Sequence, residues 1–211
     1  MAERGITGDV AEDIVSFLQS HGGLHTLEDF KNAKGEYVDA ISTNYRGYDV
    51  YECPPNGQGI VALMMLNMLK DVPTDGIDPM SVERLHMEIE FGRLTYQDRN
   101  IYVADMNKSD VPVDWLLSDE HARELASHFD PEKALNPLPP VSAPTNESTV
   151  YISVVDKDRN ACSFINTLFS AFGTGLMAPK SGVMLTGRGQ GFTLAQGPLN
   201  CIAPGTRPLH T

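Results

Sequence analysis

The sequence predicts an α/β fold of the α+β kind, with helices first and an antiparallel sheet late in the chain. Three observations predict it. Apolar residues recur at helical spacing through most of residues 1–130. The stretch 131-PEKALNPLPPVSAPTNES-148 then breaks the pattern with five prolines and few large apolar side chains. From Thr149 the chain alternates apolar and polar residues with the two-residue period of a strand. The chain thus divides into a mostly helical region over 1–130, an extended flexible linker over 131–148, and a hairpin with glycine-rich loops over 149–211.

The elements come in order. In 7-TGDVAEDIVSFLQSHGG-23, Val10, Ile14, Phe17 and Leu18 share one helical face, and Gly22-Gly23 ends it. Thr26 with Asp29 forms a capping box at the head of 26-TLEDFKNA-33. The segment 45-YRGYDVYECPP-55 alternates around Gly47, which predicts a strand or a hairpin with a bulge. Residues 57–69 read as a buried, methionine-rich helix that fills core. Asp78-Pro79 supplies an N-cap and first-turn proline for a long helix over 80–104. Ser118 caps 119-DEHARELASHF-129, whose acidic first turn suits the helix dipole. Last, 149-TVYISVVD-156 and 161-ACSFINTLF-169, joined by 157-KDRN-160, make a hairpin. The cluster 187-GRGQG-191 lacks both the Lys-Ser/Thr pair of a phosphate loop and the strand-then-helix order of a dinucleotide site. Its glycines read as turns that let two backbone segments approach closely.

Composition removes several function classes. The 211 residues are 41% hydrophobic and 21% charged, enough for an ordinary core. A net charge of −12 argues against a nucleic-acid partner, because nothing would displace phosphate counterions. The longest apolar run, 60-IVALMMLNMLKDV-72, is too short to span a membrane and is interrupted by Asn67. Cys53, Cys162 and Cys201 are odd in number and far apart, so they are expected as buried thiols rather than as disulfides or metal ligands. His86 and Glu90 share a helical face, but two ligands make no metal site. No cofactor is implied.

The sharp change at Thr149 has a chemical reading. A threonine hydroxyl is a weak nucleophile unless a base takes its proton, and an N-terminal threonine carries that base as its own α-amine. An α-amine titrates near ~7.7–8, so much of it is neutral at working pH. Such a residue has to be exposed by cutting the chain in front of it, here between Ser148 and Thr149. A strand-initial threonine at 149 and a β-favouring threonine at 167 are the plain structural alternatives.

The segment 147-ESTVYISVVDKDRNACSFINTLFSAFGTGLMAPKSG-182 resembles the processing site of the γ-glutamyltranspeptidase family of N-terminal-nucleophile hydrolases. SVVDKD after the threonine, NA opening the second strand, and FGTG before a loop ending in SG are its most specific pieces. Upstream, 45-YRGYDVYECPPNGQG-59 and the opening 5-GITGDVAEDIVSFLQSHGGLHTLEDF-30 are also similar to the family's large subunit. The resemblance implies αββα layers with antiparallel sheets, incomplete in this chain. It implies a proenzyme that cleaves itself before Thr149 and forms an acyl-enzyme there from γ-glutamyl or related amides such as glutathione. Thr167 would orient the nucleophile, and two strands of one hairpin can bring both threonines to one sheet face.

The family holds the substrate's α-amino group with polar and acidic side chains. Phe169, Arg188 and Gly191 stand at the matching positions here. Arg188 would repel an ammonium and attract a carboxylate, which points to a glutaryl-type amide acylase as one alternative. A catalytically inert scaffold or binding module is another. The resemblance further implies that the remainder of both subunits, including a carboxylate-binding arginine and the oxyanion donors, lies outside these residues. The chain alone is then expected to be nearly inactive, and exposed sheet would favour self-association.

Overall fold

The structure is a computed structural model in which residues 6–136 and 149–210 are described. They form helices and two small antiparallel sheets, grouped in two compact units: 6–37 with 149–189, and 38–136 with 190–210. Among the described residues no helix is long and apolar enough to cross a membrane.

The first unit contains α1 (Asp9–Ser20) and α2 (Leu27–Asn32). Asp9 and Glu12 lie in the first turn of α1, where the helix dipole favours acidic groups. The buried face of α1 is Ala11, Asp13, Ile14 and Val15, whereas Val10 is exposed. Of the expected stripe Val10, Ile14, Phe17 and Leu18, Ile14 is buried and Phe17 and Leu18 are half-buried; the correction is at Val10, while Asp13 joins the inward face through its bonds to residues 180 and 181. At α2, Thr26 accepts from Asp29 N–H and the Asp29 carboxylate accepts from Thr26 N–H, the reciprocal cap that the sequence predicts.

The second unit holds the main apolar core. Strands β1 (Ile41–Tyr45) and β2 (Tyr48–Glu52) pair in unbroken register from Ile41 opposite Glu52 to Tyr45 opposite Tyr48. The expected bulge is absent from this pair. Arg46 and Gly47 take φ of 51° and 91°, so a two-residue turn of left-handed conformers closes the hairpin without an extra residue. The Arg46 guanidinium then donates to the carbonyls of Lys70 and Val72, at the end of α3 (Gly59–Leu69). Met64 and Met68 of α3 sit in the core with Ile60, as core-filling methionines should. Asn67, also buried, accepts from Thr43 and donates to Leu117 carbonyl at 2.8 Å, so its amide is satisfied inside the core.

Helix α4 (Val82–Tyr102) is capped by Ser81, whose hydroxyl accepts from Arg84 N–H, not by Asp78. Asp78 caps a separate turn through Met80 N–H, and both residues are cap types three positions apart. Met87, Phe91 and Leu94 of α4 face the core. Glu90 is buried, and its carboxylate accepts from Arg93 at 2.6 Å and from Leu135 N–H at 2.9 Å. His86 instead contacts the Asp130 carbonyl at 3.0 Å. The short helix α5 (Val113–Leu116), which is too brief to show a period, precedes α6 (Asp119–Ser127), capped by Ser118 as expected. Residues 190–210 return to this unit: Arg207 binds the buried Asp105 carboxylate at 2.8 Å, and His210 N–H donates to Asn56 carbonyl. Gly191 lies so close to this return that a Cβ would come 2.8 Å from Leu209 carbonyl oxygen. The thiols of Cys53 and Cys162 are exposed and Cys201 is half-buried, none in a disulfide. This corrects the expectation of buried thiols: Cys162 is on a strand whose residues are solvated, and Cys53 follows the last residue of β2.

Candidate active site

The hairpin expected at the junction is present. Strands β3 (Thr149–Val155) and β4 (Ala161–Thr167) pair antiparallel, with Val155 opposite Ala161 at the closed end. The loop between them is held by Asp156, whose carboxylate accepts from the N–H groups of Asp158 and Asn160 and from the Asn160 amide. At the open end the same register brings Thr149 opposite Thr167. The two threonines singled out in the sequence are therefore cross-strand partners. Ser148, the other side of the expected cut, lies outside the described residues.

The backbone just past Thr167 is tightly tied. Phe169 N–H donates to Thr167 Oγ1 at 3.0 Å. Phe169 is buried with φ of 80°, a conformation a bulky residue rarely adopts and one that clusters at functional sites. The carbonyl between these two residues, that of Leu168, accepts from Gly187 N–H at 2.9 Å and Thr186 Oγ1 at 3.2 Å. This brings residue 188 to the same place. The Arg188 guanidinium carbon stands 4.7 Å from the Phe169 ring centre, a cation–π distance, and burial lowers its pKa from the ordinary arginine value. Thr167, Phe169 and Arg188, which the resemblance singles out, thus adjoin one another next to the Thr149 pairing position.

The segment that carries Arg188 folds back on the stretch after Thr167 in a short ladder. Thr174 N–H donates to Leu185 carbonyl, Leu185 N–H to Leu176 carbonyl, and Ala178 N–H to Val183 carbonyl, each at 2.9 Å. Gly173 makes the close approach possible, since a Cβ there would overlap the Leu185 oxygen. Of the two glycines in FGTG only Gly173 is such a meeting point; Gly175 takes φ of +75° with open space where a Cβ would stand. In the 187-GRGQG-191 cluster the expected close approach is met at Gly191, beside Leu209 oxygen, and not at Gly189.

One residue of this neighbourhood is not marked by any motif in the sequence. Asp13 of α1, 6% exposed, accepts at Oδ2 from Lys180 N–H at 3.1 Å, Ser181 N–H at 2.7 Å and Ser181 Oγ at 2.7 Å. Burial pushes its carboxyl upward, but the bonds from Ser181 and Lys180 and the Lys180 charge outweigh that and hold it below the ordinary aspartate value. The available signal was a carboxylate beside the apolar residues of an inward helix face.

A family model described as Gamma-glutamyltranspeptidase matches residues 4–211. The glutathione hydrolase-like YwrD proenzyme of Bacillus subtilis (strain 168) is 36% identical over 215 residues, covering 100% of this chain and 40% of that protein. The glutathione hydrolase proenzyme of Pseudomonas sp. (strain A14) is 33% identical over 218 residues, covering 97% and 38%. Among solved structures, the cephalosporin acylase from Bacillus halodurans matches with a TM-score of 0.85 at 38% identity, covering 97% of this chain and 36% of that one. The chain spans about 40% of the length of the curated relatives it matches.

Proposed function

The chain belongs to the γ-glutamyltranspeptidase family, and from that membership we propose that it carries the processing junction and nucleophile of a self-cleaving amide hydrolase and acyltransferase. The pairing of Thr149 with Thr167, whose hydroxyl is engaged by the Phe169 N–H, carries this reading. Thr149 Oγ attacks the Ser148 carbonyl carbon and the Ser148–Thr149 C–N bond breaks, leaving an ester and a free α-amine. Water then hydrolyses the ester to a Ser148 carboxylate and restores the hydroxyl. In the mature form the α-amine takes the hydroxyl proton as Oγ attacks an amide carbonyl. The amine product leaves with that proton, and the acyl ester passes to water or to an acceptor amine. Thr167 orients the nucleophile.

The cut separates a large-subunit part, ending in the linker over 131–148, from a small-subunit part that begins at Thr149. In the whole protein the two would complete αββα layers, with the β3–β4 hairpin in an inner sheet. Oxyanion donors are each worth ~2.7–4 kcal/mol, so the chain without the remainder of its subunits should turn over slowly if at all. Uncovered, the hairpin favours self-association.

The substrate class is a γ-glutamyl or related amide, glutathione being the amide named by the curated relatives. A second reading, an acyl group ending in a carboxylate as in a glutaryl amide, is favoured by the Arg188 guanidinium over Phe169. It also fits the sequence at Gly191, which offers no acidic side chain. The test uses the full-length gene product. Its smaller band on a denaturing gel should begin TVYIS, and Thr149→Ala should give one uncut band. Incubation with γ-glutamyl and glutaryl anilides then assigns the acyl group by the larger kcat/KM. Turnover of neither by a cut protein would mark an inert relative, and an uncut active protein would end the nucleophile assignment.

A further inference from the structure

Asp13 takes no part in that chemistry, yet its carboxylate is buried and gathers three donors from a loop 167 and 168 residues away. Burying an ionised carboxylate is unfavourable unless hydrogen bonds replace its lost water. Here both backbone donors and a hydroxyl converge on a single oxygen, so the loop's conformation is set by that oxygen. We propose that Asp13 is a positioning residue for the acyl-binding surface, a non-covalent clasp joining the two polypeptides once the chain is cut before Thr149.

The path from clasp to site is continuous. Next to Lys180 and Ser181, Gly182 N–H donates to Ala178 carbonyl and Ala178 N–H to Val183 carbonyl. Leu185 bonds Leu176 and Thr174, and Thr186 with Gly187 holds the Leu168 carbonyl beside Phe169. Arg188 follows directly and stacks on Phe169. Releasing the loop at 180–182 therefore frees one end of the strap that carries Arg188 and supports Phe169. The clasp also changes status on maturation. Before the cut, Asp13 and Ser181 belong to one polypeptide; afterwards their bonds link α1 on one fragment to the strap on the other. This step rests on the cleavage assigned above, whereas the clasp itself does not.

Hydrogen exchange and kinetics on the full-length protein test the two parts separately. Asp13→Ala should speed amide exchange at Lys180 and Ser181 at least tenfold and raise exchange at Gly187 by a smaller factor. Asp13→Asn, which keeps an oxygen acceptor without the charge, should fall between it and wild type. Should Asp13→Ala not fold, Ser181→Ala removes one of the three bonds from the other side, and a smaller change in the same direction is expected. In the cut enzyme, KM for the preferred anilide should rise tenfold or more in Asp13→Ala, with kcat within threefold, because Thr149 and Thr167 stay on the hairpin. Unchanged exchange at Lys180 and Ser181 overturns the clasp. Loosened amides with an unchanged KM overturn its positioning role. A wild type that never cuts refutes the joining of two polypeptides and the function assigned above, but exchange still decides the clasp.

Discussion

Two regions of the molecule solve the same problem differently. The helical region around α3, α4 and α6 encloses its own core: Ile60, Leu63, Met64, Phe91 and Leu116 are each 2% exposed or less. The β3–β4 hairpin is equally apolar and encloses nothing. Val150, Ile152 and Val154 are half or more exposed, or nearly so, and so are Tyr151 and Val155, which alternate with them along β3. Alternate residues of a strand point to opposite faces, so both faces of the hairpin are apolar and solvated in this chain. Such a pattern belongs to a sheet sandwiched between layers. One region is held by packing; the other holds its shape through ladder hydrogen bonds and the ties just past Thr167.

That contrast can be broken by substitution. The largest effect is expected in the packed region, where Phe91→Ala removes a ring that meets Phe129 edge-on at 5.5 Å. It should lower unfolding free energy by ~3–5 kcal/mol, seen as a lower urea midpoint by far-ultraviolet circular dichroism. A smaller and local loss is expected at Gly173, where alanine must both adopt φ of +57° and displace Leu185 oxygen. Gly173→Ala should cost ~1–3 kcal/mol, read as faster exchange at the Thr174 and Leu185 amides while the helical region melts as before. Least of all should change when Ile152, 47% exposed, becomes threonine. Stability should stay within ~0.5 kcal/mol, but sedimentation should show weaker self-association of the 211-residue chain. A large stability loss in Ile152→Thr would mean that the hairpin is covered after all.

The same contrast explains what was legible. Local chemistry was: the Thr26–Asp29 box, the Ser118 cap and both strands of the junction hairpin arise from neighbouring residues. Choices decided at a distance were not. Asp78 and Ser81 both suit a helix start, and only the observed fold selects Ser81. Asp13 joins the inward face of α1 through partners at residues 180 and 181, so no window around the helix contains the reason. Cysteine follows burial only where something covers it, and Cys162 is on the solvated hairpin. At the site, resemblance singled out Thr149, Thr167, Phe169 and Arg188 one at a time. Their mutual geometry, with Phe169 in a left-handed conformation beneath Arg188, came from the ladder behind them.

The position of Thr149 has a consequence for entropy. A newly made chain end normally frays, wandering through many orientations. Here residue 149 is already the first rung of a seven-rung pairing. A terminus created at that rung would be born oriented, its freedom surrendered during folding and not at the moment a substrate arrives. Breaking a single peptide bond could then switch on reactivity with little rearrangement of the strand that bears it.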